Sequence, residues 1–267
     1  FYGIFRVMAR PPLSVTIITL NEERNVARSI ESVRGFAQEV LVVDAGSSDR
    51  TVEIARHLGA KVLTNPWRGY GQQKNFAQSA AAHDWILNLD ADEEVTPELA
   101  VEIQRTLERN DGKGFGGYSV PRLSRYLGRW IRHGGWYPNR IVRLANRKVS
   151  AWSEPDVHEE WIVRGPVLPL AHDLLHYPFR DISDQIRTNL RFSRLGAEVL
   201  RKRGEGKNLL KLILKPIGKF FETYFLKSGY RDGIPGFIIS VNAAHSIFLK
   251  YAYAFEESER KNEGSRH

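Results

Sequence analysis

Apolar, β-branched runs recur through the first hundred residues, at Leu13–Leu20, Val40–Val43, Lys61–Leu63 and Trp85–Leu89. Between them apolar positions return every three or four residues, which predicts helices over about Glu22–Val33, Asp49–Leu58 and Gln72–Ala82. A further helix opens at Thr96-Pro97-Glu98, where a capping hydroxyl, a proline at the first helical position and an early acid stand in order. Such alternation predicts an α/β fold, a Rossmann-like, mostly parallel sheet flanked by helices, with ligands at the carboxyl ends of the strands. After about Asn110 the pattern breaks into glycines, prolines, aromatics and short strand-like pieces at Tyr118–Val120 and Ile141–Leu144. From Asp181 onward the chain reads as two or three helices. The 267 residues fit one large domain with an appendage.

Three polar motifs sit where predicted strands end. Thr19-Leu20-Asn21-Glu22-Glu23 follows the first strand. Free helix amides there suit an anionic or nucleotide ligand, although on this motif alone Asn21 as a plain helix cap, with the two acids near the helix's positive end, is the better account. Asp44-Ala45-Gly46-Ser47-Ser48-Asp49 follows the second. A polar turn accounts for Ser47, Ser48 and Asp49 but not for Asp44, whose strand neighbours are apolar. The third is Asn88-Leu89-Asp90-Ala91-Asp92-Glu93-Glu94. Carboxylates crowded at one strand end repel unless a cation is present, and oxygen ligands suit Mg²⁺ or Mn²⁺.

Composition adds constraints. Without cysteine the chain has neither disulfides nor thiolate chemistry. A net charge of +8 points to anionic partners, whether nucleic acid, membrane surface or phosphorylated substrates. The acidic strand ends argue against nucleic acid, which would want basic and aromatic residues interleaved on one face. The apolar stretch Gly236–Phe255 is interrupted by Asn242, His245 and Lys250 and is not expected to span a membrane.

Arg201–Lys219 holds seven Lys/Arg against one acid, Glu205. On a helical wheel Lys207, Lys211, Lys215 and Lys219 form one arc. Leu209, Leu210, Ile213, Leu214, Ile217, Phe220, Phe221 and Tyr224 form the other. The expectation is a helix that lies on an anionic membrane with its lysines on lipid phosphates, set against an ordinary packed amphipathic helix.

In their order, Thr19-Leu20-Asn21-Glu22, Val43-Asp44-Ala45-Gly46-Ser47-Ser48-Asp49 and Asp90-Ala91-Asp92 resemble the motifs of family 2 glycosyltransferases with the GT-A fold. The resemblance implies that Glu22 and Asp44 contact the nucleoside, with Thr19 and Asn21 beside them. It places Asp90 near the ribose, Asp92 on a divalent cation and Lys74 facing the nucleotide. Later residues, His133-Gly134-Gly135-Trp136-Tyr137-Pro138-Asn139-Arg140, Val142-Arg143-Leu144 and Val157-His158-Glu159, are similar to a bacterial subgroup that includes lipopolysaccharide core glucosyltransferases. The Gln-x-x-Arg-Trp motif of the processive branch is absent from the sequence.

The resemblance implies an inverting, non-processive transfer of a hexose, glucose favoured, from a UDP-type donor to a lipopolysaccharide core or related glycolipid. Another bacterial surface glycan is the alternative acceptor. A sugar nucleotidyltransferase would want a glycine-rich basic loop where Leu20-Asn21-Glu22-Glu23 stands. Glu159 is the expected base, with Glu160 and Asp156 as alternatives. His158, His172 and His176 are candidate late ligands, His176 preferred, and Arg140 and Arg143 are candidate diphosphate or acceptor contacts. The expected division is a leader or extension over residues 1–10 and a catalytic domain over 11–178. Within that domain the nucleotide-sugar half is 11–110 and the acceptor half 111–178, and a helical region over 179–267 follows. The expected setting is the cytoplasmic face of the inner membrane.

Overall fold

The computed structural model describes residues 12–109, 116–153, 159–204 and 208–264. The expected leader, Asp156, His158 and Lys207 lie outside the described residues. Two compact units emerge: residues up to Arg122 together with Arg140–His176, and Leu123–Asn139 together with Tyr177 onward. The segment 123–139 was expected in the acceptor half and belongs instead with the helices.

In the first unit, strands β1 (Leu13–Thr19), β2 (Glu39–Asp44), β3 (Lys61–Thr64) and β4 (Trp85–Asp90) pair in parallel, in the order β3-β2-β1-β4. The sheet continues through β8 (Asn139–Asn146), β6 (Gly117–Tyr126), β12 (Leu174–His176) and β5 (Glu93–Val95), with β7 (Arg129–Ile131) and β11 (Val167–Pro169) also paired to β6. Helices α1 (Val26–Val33), α2 (Thr51–His57), α3 (Tyr70–Ala80) and α4 (Pro97–Arg109) fill the crossovers.

Side chains alternate across a strand, and the core divides accordingly. Leu13, Val15 and Ile17 of β1, Val42 of β2 and Leu87 and Leu89 of β4 meet Val26, Ile30 and Val33 of α1 and Leu99, Ile103 and Leu107 of α4. On the other face Ile18, Leu41, Val43 and Ile86 meet Ala77 of α3 and two tryptophans, Trp152 and Trp161. Both faces are covered, which is why these strands read as unbroken apolar runs. Each fully buried Leu or Ile contributes about 1.5–3 kcal/mol relative to exposure.

Helix α1 begins at Val26, later than the expected Glu22, with Asn25 at its cap and a turn ahead of it; Asn21, before that turn, has φ +57°. The Glu22 carbonyl accepts the amides of Asn25 and Val26 in a turn first. Strand β5 was not anticipated, since Glu93-Glu94-Val95 has no alternating pattern of its own.

In the second unit, α5 (Ile182–Lys202) is capped by Asp181, whose side chain accepts from the Asp184 amide at 2.7 Å. It packs Ala197 and Leu200 against Tyr251 and Ala254 of α7 (Gly233–Gly264). Helix α6 (Leu209–Phe221) runs into a wider helical turn over Glu222–Leu226 and a tight one over Gly229–Asp232. Asn242 is buried and donates to Gln185, which also accepts the Tyr126 hydroxyl. This polar residue interrupts the apolar stretch of α7 because it has a buried partner. Among the described residues no helix is long and apolar enough to cross a membrane.

Candidate active site

Strand register brings the motif residues together. Thr19 lies opposite Asp44 and Ile18 opposite Asp90, so three strands end on one line at the carboxyl edge of the sheet. The first two motifs are sewn to each other. The Asn21 side chain accepts the Ser48 amide at 2.9 Å, and its own amide donates to the Ser47 hydroxyl at 2.8 Å. The Glu22 amide donates to the Thr51 hydroxyl at 2.7 Å, and the Glu23 amide to Asp49 at 3.2 Å. Asn21 therefore joins two loops and does not cap α1. Burial alone would raise the Asp49 pKa, but the hydroxyl and amide of Thr51 and the amide of Glu23 outweigh it and hold the group below the ordinary carboxylate range.

Asp44 is buried, and its carboxylate accepts the amides of Gly46 and Ser47 at 2.9 and 2.7 Å and the hydroxyls of Thr19 and Ser47. Gly46 closes this turn at φ +98°, which a side chain would strain. With four donors already on it, Asp44 shapes the loop that would meet a nucleoside.

Asn21→Ala is expected to cost roughly 2–3 kcal/mol, from a left-handed alanine and a lost hydrogen bond. Asn21→Gly, which keeps the backbone at ease, should cost only about 1 kcal/mol. Urea unfolding of the two variants checks the order.

Three of the four carboxylates in the third motif, Asp90, Glu93 and Glu94, meet basic side chains within the protein. Arg143, on β8, is buried and reaches both Asp90 and Glu93, the latter at 2.7 Å. Arg122, on β6, stands 3.4 Å from Glu93, and Arg28 of α1 stands 3.8 Å from Glu94. The carboxylate crowding that pointed to a cation is thus met largely by arginines. Arg143 is correspondingly spent as a counter-ion, which corrects its expected part as a diphosphate contact. Burial by itself would raise the Asp90 pKa. The charges of Arg143, Lys74 and Arg122 overcome this and hold it far below the ordinary range.

Lys74 is the centre of the arrangement. It projects from α3, is only 4 % exposed, and places Nζ 3.2 Å from Asp90 and 3.1 Å from Glu159. The ammonium also lies 4.3 Å from the centre of the Trp152 ring. It is not a solvated helix lysine. The same helix grips β9 (Ser150–Trp152): Asn75 exchanges two hydrogen bonds of 2.9 Å with the Trp152 backbone, and Gln78 bonds Ser150 and the indole of Trp161. Trp161, on β10 (Trp161–Val163), stacks on Trp152 at 5.1 Å.

Lys74, Asp90, Arg122, Arg143, Glu159 and Glu160 share a cavity of about 480 Å³, with Arg140 at its wall. This volume suits a small-molecule ligand. The Nε atoms of Arg122 and Arg143 are buried without a hydrogen-bond partner among the described residues. Unsatisfied buried donors of this kind call for an unseen acceptor. Arg140 donates to the Leu170 carbonyl at 2.9 Å and is otherwise exposed.

Asp92 and His176 meet because β12 pairs antiparallel with β5, setting His176 opposite Glu93. Nε2 of His176 stands 3.5 Å from the Asp92 carboxylate, both side chains half-buried. His172, the other described candidate, goes elsewhere, with Nδ1 2.8 Å from Glu102 on α4. Among the described residues no group of three or more His, Asp or Glu side chains could hold a metal.

Residues 14–159 match the model of glycosyl transferase family 2. The chain belongs to that family. This family 2 glycosyltransferase is 33 % identical over 249 residues to an uncharacterized glycosyltransferase of Rickettsia typhi, covering 90 % of this chain and 85 % of the other. It is 30 % identical over 257 residues to the lipopolysaccharide core biosynthesis glycosyltransferase LpsC of Rhizobium meliloti, covering 94 % of each. Among solved structures, glucosyl-3-phosphoglycerate synthase of Mycobacterium tuberculosis is similar over 43 % of this chain and 44 % of its own, with TM-score 0.35 and 23 % identity.

Family membership gives the α/β sheet its GT-A identity and makes the protein a glycosyltransferase. Arg122 and Trp152 of this glycosyltransferase were invisible as site residues in the sequence. Arg122 reads as a solvent-facing position in a strand, and nothing local to Trp152 announces a lysine from α3.

Proposed function

We propose that this glycosyltransferase moves one hexose, glucose favoured, from a UDP-type donor to a hydroxyl of a lipopolysaccharide core or related bacterial glycolipid, with inversion. The observation that carries the reading is Lys74, which holds Asp90 and Glu159 together at a cavity also lined by Arg122, Arg140 and Arg143. The similarity to LpsC along nearly its whole length supports the acceptor class. The missing Gln-x-x-Arg-Trp motif supports a single transfer per acceptor.

Glu159 takes the proton of the acceptor hydroxyl, and a positioned base of this kind contributes about 10²–10⁴-fold. Lys74 fixes that carboxylate and Asp90 in place. The exposed side of Arg140 receives anionic oxygens of donor or acceptor. Asn21, Glu22 and the loop shaped by Asp44 form the nucleoside edge.

Asp92 and His176 fit a divalent cation, Mg²⁺ or Mn²⁺. One carboxylate and one imidazole suit such an ion if phosphate oxygens complete the shell. When bound, the cation would supply Lewis-acid charge at the diphosphate.

A thermal-shift series with UDP, with and without Mn²⁺, tests the reading. Ligand at about 100 times its Kd adds roughly 2.7 kcal/mol, on the order of 5 °C or more in Tm. Asp92→Ala should lose the metal-dependent increment while keeping its unliganded Tm. The same Mn²⁺ increment in variant and wild type would remove Asp92 from the metal site.

A further inference from the structure

Helix α6 is amphipathic by sequence, yet among the described residues it buries none. At 100° per residue, Ile213, Ile217, Leu210, Phe221 and Leu214 fall within an arc of about 100°, and all are more than half exposed. Leu212 and Phe220 turn inward instead, Leu212 onto the Ala197–Tyr251 cluster and Phe220 onto Tyr224 and Phe237. Lys211, Lys215 and Lys219 border, with Lys250, a groove floored by Leu214 and Tyr251. At 100° per residue Lys211, Lys215 and Lys219 lie about 110°, 150° and 170° from the middle of the apolar arc, so Lys211 stands nearest its edge and the other two lie on the far side of the helix.

The apolar surface continues past the helix. Phe221 stacks on Phe225 at 5.4 Å, and Leu226 is 82 % exposed. No acid occurs from Asn208 to Phe221, and Glu222 just after it pairs with Lys219 at 3.2 Å and with Lys227, leaving the segment Asn208–Lys227 basic.

Scattered exposed apolar residues are ordinary, but a contiguous ridge marks an interaction surface. We infer that the outward face of α6 and the turn after it seat this protein on an anionic lipid bilayer, the apolar ridge entering the acyl boundary and the long lysine side chains of the helix reaching lipid phosphates. A 13-residue helix is about 20 Å long, too short to cross a core of about 30 Å, so it lies in the plane of the interface. Charge selects the bilayer over a second copy of the chain. Self-association through this ridge would supply no counter-charge to the lysines of α6, whereas anionic headgroups complement them. The inference stands apart from the sugar-transfer reading, because its readout is binding to lipid and not activity.

Co-sedimentation of the full chain with phosphatidylglycerol–phosphatidylcholine vesicles and with pure phosphatidylcholine vesicles tests it. The triple variant Ile213→Gln, Leu214→Gln, Ile217→Gln should bind anionic vesicles at least about tenfold more weakly at low and moderate salt, with an unchanged unfolding midpoint. Lys211→Gln with Lys215→Gln should weaken binding severalfold, on anionic vesicles only, and most at low salt. Ile213→Trp should add a blue-shifted emission component when anionic vesicles are present, and this readout holds even if the triple variant folds poorly. Wild-type binding by the triple variant, binding by neither protein, or no spectral shift from Ile213→Trp would overturn the inference. So would a solution dimer that the triple variant dissolves while vesicle binding is absent.

Discussion

Arg143→Met is expected to lower the unfolding free energy by about 3–5 kcal/mol, the range for breaking a buried ion pair from one side. The guanidinium it removes is the shared partner of Asp90 and of Glu93, whose side chain is fully buried. Arg122, 3.4 Å from Glu93, would be left as its sole cation within ion-pair reach among the described residues. Arg143→Lys should fall between the two, because an ammonium cannot bridge two carboxylates with a planar fork. Urea unfolding at neutral pH measures both, and an unchanged midpoint for Arg143→Met would sink the counter-ion assignment.

The pH dependence adds a direction. Burial raises the Asp90 pKa, but Arg143, Lys74 and Arg122 together hold it well below its unfolded value. A carboxyl depressed on folding contributes stability that is present above the unfolded pKa, about 4, and is lost as pH falls toward the folded one. The stability gap between wild type and Arg143→Met should therefore stay level from neutral pH down to about 4 and narrow only in more acid solution.

The parallel half of the fold was legible because its strands are buried on both faces and its crossover helices carry apolar stripes such as Leu99, Ile103 and Leu107. The three strand-end motifs were legible for the same reason, since strand order and register place them on one edge. Pairings distant in sequence were not. Cations for Asp90 and Glu93 come from β6 and β8, and no local rule assigns Arg122 or Arg143 to an acidic loop far upstream. His176 reaches Asp92 only through pairing of β12 with the short strand β5, whose sequence has no alternation to betray it. Residues 123–139 carry no compositional break that would assign them to the helices. There Asp232 is buried and accepts the His133 amide at 2.8 Å, with the imidazole at 3.0 Å. That tie runs over about a hundred residues of chain. The outward ridge of α6 shows a different limit: the wheel gave two arcs correctly, and only packing reveals which of them is left uncovered.

Glu159→Gln is expected to cut kcat by about 10²-fold or more while donor affinity stays near wild type. Glutamine keeps the size of the side chain and an oxygen that can still accept from Lys74, 3.1 Å away, but it cannot take a proton from the acceptor hydroxyl. Glu160 lines the same cavity, so Glu160→Gln is the matched control. If that variant loses turnover and Glu159→Gln does not, the base is the neighbouring residue.

Lys74→Met removes the cation that holds Glu159 to Asp90, and it should lower kcat too, through loss of position. Two residues in direct contact are expected to couple, by roughly 0.5–3 kcal/mol in a double-mutant cycle. Once Lys74 is absent, Glu159 is no longer held in line, so its replacement by glutamine should cost much less than it does in wild type. Steady-state turnover of the two single variants and the double variant measures that coupling. Strictly additive losses would mean that Lys74 acts on the donor alone and leaves the base to other restraints.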